Sequence, residues 1–276
     1  MGYTVLHKHS HNDWLFSVFH KTITFSPLIF EMLMEQPEPR PKKIAIFEIN
    51  QLDAQESTGY WREGAAKYGF DIVFHQKYPA NSNDFSALIT GAKAAGADIL
   101  LAYPTPPTGP SMVKQMKELN FAPKVVQFIR APEGSNFGPA LGPLADYMTL
   151  PVAWSDKFEF PENDYLRKKF VEKTGKGPDL VAGNAYASGQ VLFKAIEKAG
   201  TLDRTAIRDA VKASDVMTVA GPIKFDKVGA PIDKALVVVQ WMGGDRKIVY
   251  ANKYAKMFPK EIPVTQLKYQ PAWSKR

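Results

Sequence analysis

Gly96-Ala-Asp-Ile-Leu-Leu-Ala-Tyr-Pro-Thr-Pro-Pro-Thr-Gly109 decides the fold. A glycine stops a helix, a strand-length apolar run follows at Asp98–Ala102, and prolines then stiffen a loop. Similar runs recur outward from it at Lys43–Ile49, Asp71–His75, Lys124–Ile129 and Asp146–Leu150, with helical segments between the first four. Strands that alternate with helices at this spacing predict βαβ units and a parallel sheet. The runs lack strict polar alternation, as strands do when helices cover both faces. Asp84 can cap a helix on which Phe85, Leu88, Ile89 and Ala92 share one face before Gly96 ends it. Ser111–Leu119 is a second helix, with Met112, Gln115, Met116 and Leu119 at helical spacing, and Gly59–Gly69 is a third, less regular one.

The flanks read differently. Glu35–Pro41 alternates prolines with charges and is a linker, preceded by a strand at Trp14–Phe19 and a helix at Leu28–Met34. Beyond Pro151 come helices at Glu162–Thr174, Leu180–Ala199 and Asp203–Ala213, the last with an Asp cap and Leu202 as a hydrophobic staple. Then follow an extended piece at Pro222–Asp226, a strand at Ala235–Met242, a Gly243-Gly244 turn and a strand at Lys247–Ala251. That ending is a β-hairpin pattern.

Composition narrows the function. The chain has 276 residues, 45% hydrophobic, enough for one large or two modest cores. Its net charge of +7 is spread out, with no basic cluster of the kind that marks a nucleic-acid surface, so no nucleic-acid partner is expected. With no cysteine, thiol catalysis, disulfides and thiolate metal sites are excluded. The phosphate-loop, dinucleotide and nucleophile-elbow glycine motifs are missing. No cofactor, no catalytic residue and no metal are therefore expected. His7-Lys-His9-Ser-His11 puts alternate imidazoles on one face if extended, which keeps a metal-dependent hydrolase as an alternative. Such a site needs more ligands, and only His20 and His75 remain, so a solvated segment is the better reading.

Ligands of parallel α/β sheets bind at the carboxyl ends of strands. The loop after Asp98–Ala102 offers Tyr103, Thr105 and Thr108, and the loop after Lys124–Ile129 offers Arg130 and Glu133 together. A zwitterion needs both charges matched. Spacing alone fits ordinary solvated surface loops equally well.

Lys43-Ile-Ala-Ile-Phe, Lys77-Tyr-Pro, Asp84-Phe-Ser-Ala-Leu and Gly96-Ala-Asp-Ile-Leu, in that order, resemble the second lobe of type I periplasmic solute-binding proteins. The branch is the leucine/isoleucine/valine-binding group of ABC importers. Ala185-Tyr-Ala-Ser-Gly-Gln-Val-Leu, Ala206-Ile-Arg-Asp-Ala-Val and Gly221-Pro-Ile-Lys-Phe-Asp continue the resemblance. It implies two doubly wound parallel α/β lobes: residues 1–41 plus 153–221, and 42–152 plus 222–260, with 261–276 as a tail. It also implies that the first lobe is incomplete, because the family begins with further βα units and an export signal. An amino acid or related small carboxylate or amide would lie between the lobes, Glu133 meeting its ammonium, with Tyr103, Thr105, Arg130 and Asp53 around it. Near Leu52–Asp53 the family often has an aromatic, which this chain lacks. The implied setting is the periplasm, the implied partner an ABC permease, the implied state a monomer. A ligand-sensing receptor or regulatory domain on the same clamp is a further alternative.

Overall fold

The computed structural model describes residues 12–276. Its helices are α1 (Thr22–Phe25), α2 (Leu28–Met34), α3 (Leu52–Tyr68), α4 (Ser86–Ala94), α5 (Gly109–Glu118), α6 (Phe137–Leu141), α7 (Asn163–Thr174), α8 (Ala182–Ala199) and α9 (Arg204–Lys212). Its strands are β1 (Lys43–Ile49), β2 (Asp71–Tyr78), β3 (Ile99–Ala102), β4 (Val125–Phe128), β5 (Met148–Val152), β6 (Asp215–Thr218), β7 (Gly221–Lys224), β8 (Val237–Met242) and β9 (Asp245–Ala251). No described helix is long and apolar enough to cross a membrane. The chain divides into two compact units.

One unit comprises Ser26–Pro151, Val238–Tyr250 and Thr265–Arg276. It carries a seven-stranded sheet in the order β2-β1-β3-β4-β5-β8-β9. The pairs β1–β2, β1–β3, β3–β4 and β4–β5 are parallel. Every residue of β3, β4 and β5 is buried, as a sheet covered on both faces requires. Edge strand β2 is mostly exposed and polar, and the buried Glu48 of β1 takes His75 Nε2 at 2.7 Å and Lys77 Nζ at 3.2 Å. Charges of this kind blunt an edge against further pairing. Gly243 and Gly244, both at positive φ, make the two-residue turn between β8 and β9.

Several expectations shift in detail. Helix α3 starts well before Gly59, because its buried face of Ala54, Ser57, Thr58, Trp61, Gly64 and Ala65 is mostly small or polar residues that apolar periodicity overlooks. The N-cap of α4 is Phe85 rather than Asp84, whose Oδ1 accepts the Ser86 N–H at 2.9 Å from one residue outside, while Gln115 of α5 accepts the Phe85 N–H at 2.7 Å rather than serving as core. Short α6 lies in a stretch that showed no helical pattern.

The other unit comprises Met1–Phe25, Val152–Val237 and Ala251–Val264. Among its described residues, α8 packs against α7, α9 and strand β6 of the antiparallel pair β6–β7. Val18, Val191, Ala195, Val211, Ile223 and Phe225 form a core. Asp203 caps α9, accepting the Ala206 N–H at 2.8 Å. Leu202, 81% exposed, is no staple. The Trp14–Phe19 strand is not formed: this segment joins no ladder, and Ser17 N–H donates to the Gly229 carbonyl at 2.9 Å. Strand β6 was too short and polar to be read from sequence.

The division also differs from the expected boundaries. Residues 26–41 belong with the seven-stranded sheet, and 222–237 and 251–264 with the helical unit. The last residues are no free tail, since Gln240 Nε2 donates to the Lys268 carbonyl at 2.8 Å and Trp273 Nε1 to the Phe121 carbonyl at 2.9 Å. Such long-range hydrogen bonds have no local sequence signal.

Two changes in the helical unit test its packing. A Cβ at Gly183 would sit 2.0 Å from the Trp154 indole, whose Nε1 donates to Asn163 Oδ1 at 2.8 Å. Gly183→Ala should therefore cost about 2 kcal/mol, read as a lowered thermal midpoint. Lys234 is 6% exposed, and burial pulls its ammonium from 10.5 down to about 7. Between those values the unfolded chain binds the extra proton, so stability rises with pH across that window by up to about 1.4 kcal/mol per unit. Below it both states are protonated and the slope vanishes. Urea midpoints of wild type and Lys234→Met should converge as pH climbs through the window.

Candidate functional site

Parallel pairing puts the carboxyl ends of β1, β3 and β4 side by side, with Ala102 in register with Phe47 on one flank and Phe128 on the other. The loops leaving these three strands carry the expected residues. Tyr103 follows β3 directly and is buried. The Asp53 carboxylate in the first turn of α3 acts on its hydroxyl. Burial, then the Asp53 and Glu133 carboxylates, push that phenol far above its usual range, and Arg130 opposes them more weakly. The Arg130 guanidinium lies 5.9 Å from the Tyr103 ring centre, donates to Gln51 Oε1 at 3.0 Å and stands 3.7 Å from Asp53 Oδ2. The ion pair is half-exposed, so its worth to folding is small.

Arg130 takes an unusual backbone. Its φ is 74° and ψ −63°, and the Ala131 N–H closes onto the Ile129 carbonyl at 3.1 Å. This is the rare, strained form of the γ-turn. A non-glycine residue held there costs on the order of 1–3 kcal/mol. The turn leads into a 3-10 helix at Ala131–Glu133. Trp241 Nε1 donates to the Pro132 carbonyl at 3.2 Å, and Arg246 Nη1 to the Glu133 carbonyl at 3.1 Å. The β8–β9 hairpin thus holds the loop in place.

The structure therefore brings Asp53, Tyr103, Arg130 and Glu133 together. It does not join Thr105 to them: its hydroxyl is bonded to the Thr108 hydroxyl at 2.9 Å, tying the turn into α5. Gln51, Trp241 and Arg246 were missed. Gln51 is an ordinary polar residue in sequence, and the two hairpin residues lie more than a hundred positions from the loop they hold.

The histidines do not build a second centre in the described residues. His7, His9 and His11 lie outside them. His20 is half-buried and stacked on Phe25 at 3.6 Å, and desolvation above all lowers its pKa to about 3. His75 pairs with Glu48. Among the described residues, no group of three or more His, Asp or Glu side chains could hold a metal ion.

An open, mostly parallel sheet with loops converging at adjacent strand ends is the arrangement at which α/β proteins bind their ligands. The model of the family described as periplasmic binding protein matches residues 2–246, and the chain belongs to that family. It is 24% identical over 256 residues to Leu/Ile/Val-binding protein homolog 7 of Brucella suis biovar 1 (strain 1330), covering 84% of this chain and 62% of the relative. The chain thus spans less than two thirds of that relative's length. The fold is that of type I periplasmic binding proteins. It matches the branched-chain amino acid transporter substrate binding protein LivJ from Streptococcus pneumoniae, solved with isoleucine, at TM-score 0.77 and 20% identity, covering 90% of this chain and 70% of that one. A solute binding protein of an ABC transporter from R. palustris, solved with benzoate, matches at TM-score 0.74 and 15% identity, covering 86% and 64%.

The strained turn makes a direct test. Arg130→Gly should be more stable than Arg130→Ala by about 1 kcal/mol, because glycine adopts positive φ freely. Urea unfolding of the two variants checks this, and equal midpoints would mean the turn is unstrained.

Proposed function

We propose that this chain is the solute-binding part of an ABC importer. It captures an amino acid, or a related small carboxylate or amide, and hands it on chemically unchanged. The observation that carries the reading is the cluster at the ends of β1, β3 and β4, where Arg130 stands beside Asp53 and over Tyr103, with Glu133 on the same short loop. Two carboxylates and a guanidinium in one place can match both ends of a zwitterion. Glu133 and Asp53 would take the ammonium, and Arg130 with the Tyr103 hydroxyl would take an anionic or amide end. Family membership supports capture without catalysis, and the names of the Brucella and Streptococcus proteins support an amino-acid-like ligand. The benzoate-bound neighbour keeps aromatic acids in the panel. The protein would work in the periplasm as a monomer, its partner a membrane permease. Thr105 is the weakest member of the set, since its hydroxyl is already engaged.

Calorimetry against aliphatic amino acids, their amides and aromatic acids tests the proposal. One class should bind with a single site. Glu133→Gln should weaken an ammonium-bearing ligand by tenfold or more, about the worth of one charge-assisted hydrogen bond. Affinity for every class that is unchanged in both Glu133→Gln and Arg130→Ala would remove this cluster from the binding site.

A further inference from the structure

Within the helical unit, the segment 15–21 is stitched to the loop 225–234. Ser17 N–H donates to the Gly229 carbonyl at 2.9 Å, and the Phe16 and Phe225 ring centres stand 5.3 Å apart. The Lys21 ammonium reaches Asp226 Oδ2 at 2.9 Å. A Cβ at Gly229 would come within 2.1 Å of the Leu15 carbonyl oxygen, so the two backbones meet as closely as glycine allows. Each of these contacts pairs apolar with apolar, or donor with acceptor.

The seam ends differently, at His20 and Lys234. Lys234 is 6% exposed, and its Nζ has no hydrogen-bond partner among the described residues. The Nδ1 of His20 is likewise shut off from solvent and without a partner there. The Lys234 charge lies close enough to act on the His20 ring, although burial acts on that ring more strongly. Burial alone lowers the Lys234 pKa, so no carboxylate offsets it, and Asp233 beside it in sequence bears on Tyr254 instead. A buried ammonium without a counter-charge is costly, and an imidazole Nδ1–H next to it adds a second donor. Buried polar groups of this kind call for an ion or a water.

We propose that His20 and Lys234 hold a chloride ion that closes the end of this seam. The imidazole is stacked on Phe25 at 3.6 Å, so the surroundings are apolar and favour an anion that sheds its water easily. Sulfate and phosphate hold water too tightly for a site with two donors. A water molecule would accept from both donors yet leave the ammonium charge unbalanced. The site shares no residue with the cluster around Arg130 and Glu133.

Chloride NMR line widths, measured on the full chain at about pH 6 where the amine is protonated, test this. With gluconate as the balancing anion at fixed ionic strength, the protein should broaden the chloride line, and bromide should reverse the broadening. Lys234→Met should reduce the excess width about tenfold. His20→Leu, which keeps the lysine, should reduce it severalfold and serves if Lys234→Met does not fold. The urea midpoint of wild type should rise saturably as chloride replaces gluconate, and that of Lys234→Met should not. Arg130→Ala should behave as wild type does. Broadening that survives both His20→Leu and Lys234→Met, or that vanishes in Arg130→Ala, overturns the proposal, because surface cations or the strand-end cluster would then hold the ion. So does a line width that the protein leaves unchanged, which would mean that water alone satisfies the two nitrogens.

Discussion

The in-register parallel pairing of β1, β3 and β4 is the constraint on which the candidate site depends. Parallel strands all end on the same side of the sheet, so the segments that leave them crowd together. Ala102 pairs with both Phe47 and Phe128, and the side chains that follow therefore start level with one another. Asp53, Tyr103 and Arg130 are far apart in sequence and meet only because this ladder aligns them. A slip of one residue in β3 would turn Tyr103 to the opposite face and dismantle the group.

Preorganisation comes from outside the three strands. Arg130 sits in a backbone form that arginine does not choose, and the hydrogen bonds from Trp241 and Arg246 hold the following turn. Strain at one residue persists only where the surroundings over-determine it. A loop already fixed loses less entropy when it closes on a ligand. The strained arginine, the buried phenol and the hairpin that grips them form one mechanical assembly.

The sheet was legible in sequence because buried parallel strands are continuous apolar runs, and Lys43–Ile49 and Asp98–Ala102 announce themselves that way. The proline and glycine punctuation after β3 and β4 marked the loops carrying Tyr103, Arg130 and Glu133. What escaped notice has physical reasons. Helix α3 buries serine, threonine and glycine, which carry no hydrophobic period. Trp14–Phe19 looks like a strand because it is a short apolar run, yet its only ladder-like bond is from Ser17 to Gly229. The roles of Trp241 and Arg246 come from contacts across more than a hundred residues, beyond any local pattern. The Thr105 hydroxyl stands out in the loop sequence, and only the fold reveals that Thr108 bonds to it.

The seven-stranded sheet is assembled from discontinuous chain, with β8, β9 and Thr265–Arg276 arriving after the whole helical segment between. On the ribosome, β1 to β5 emerge long before the strands that finish the sheet. Until then the β5 edge has no neighbour and the Arg130 turn has no clamp, so the nascent chain carries open backbone and buried-type surface through the synthesis of α7, α8 and α9. Fixing of the strand-end loops is thereby deferred until the β8–β9 hairpin has been made.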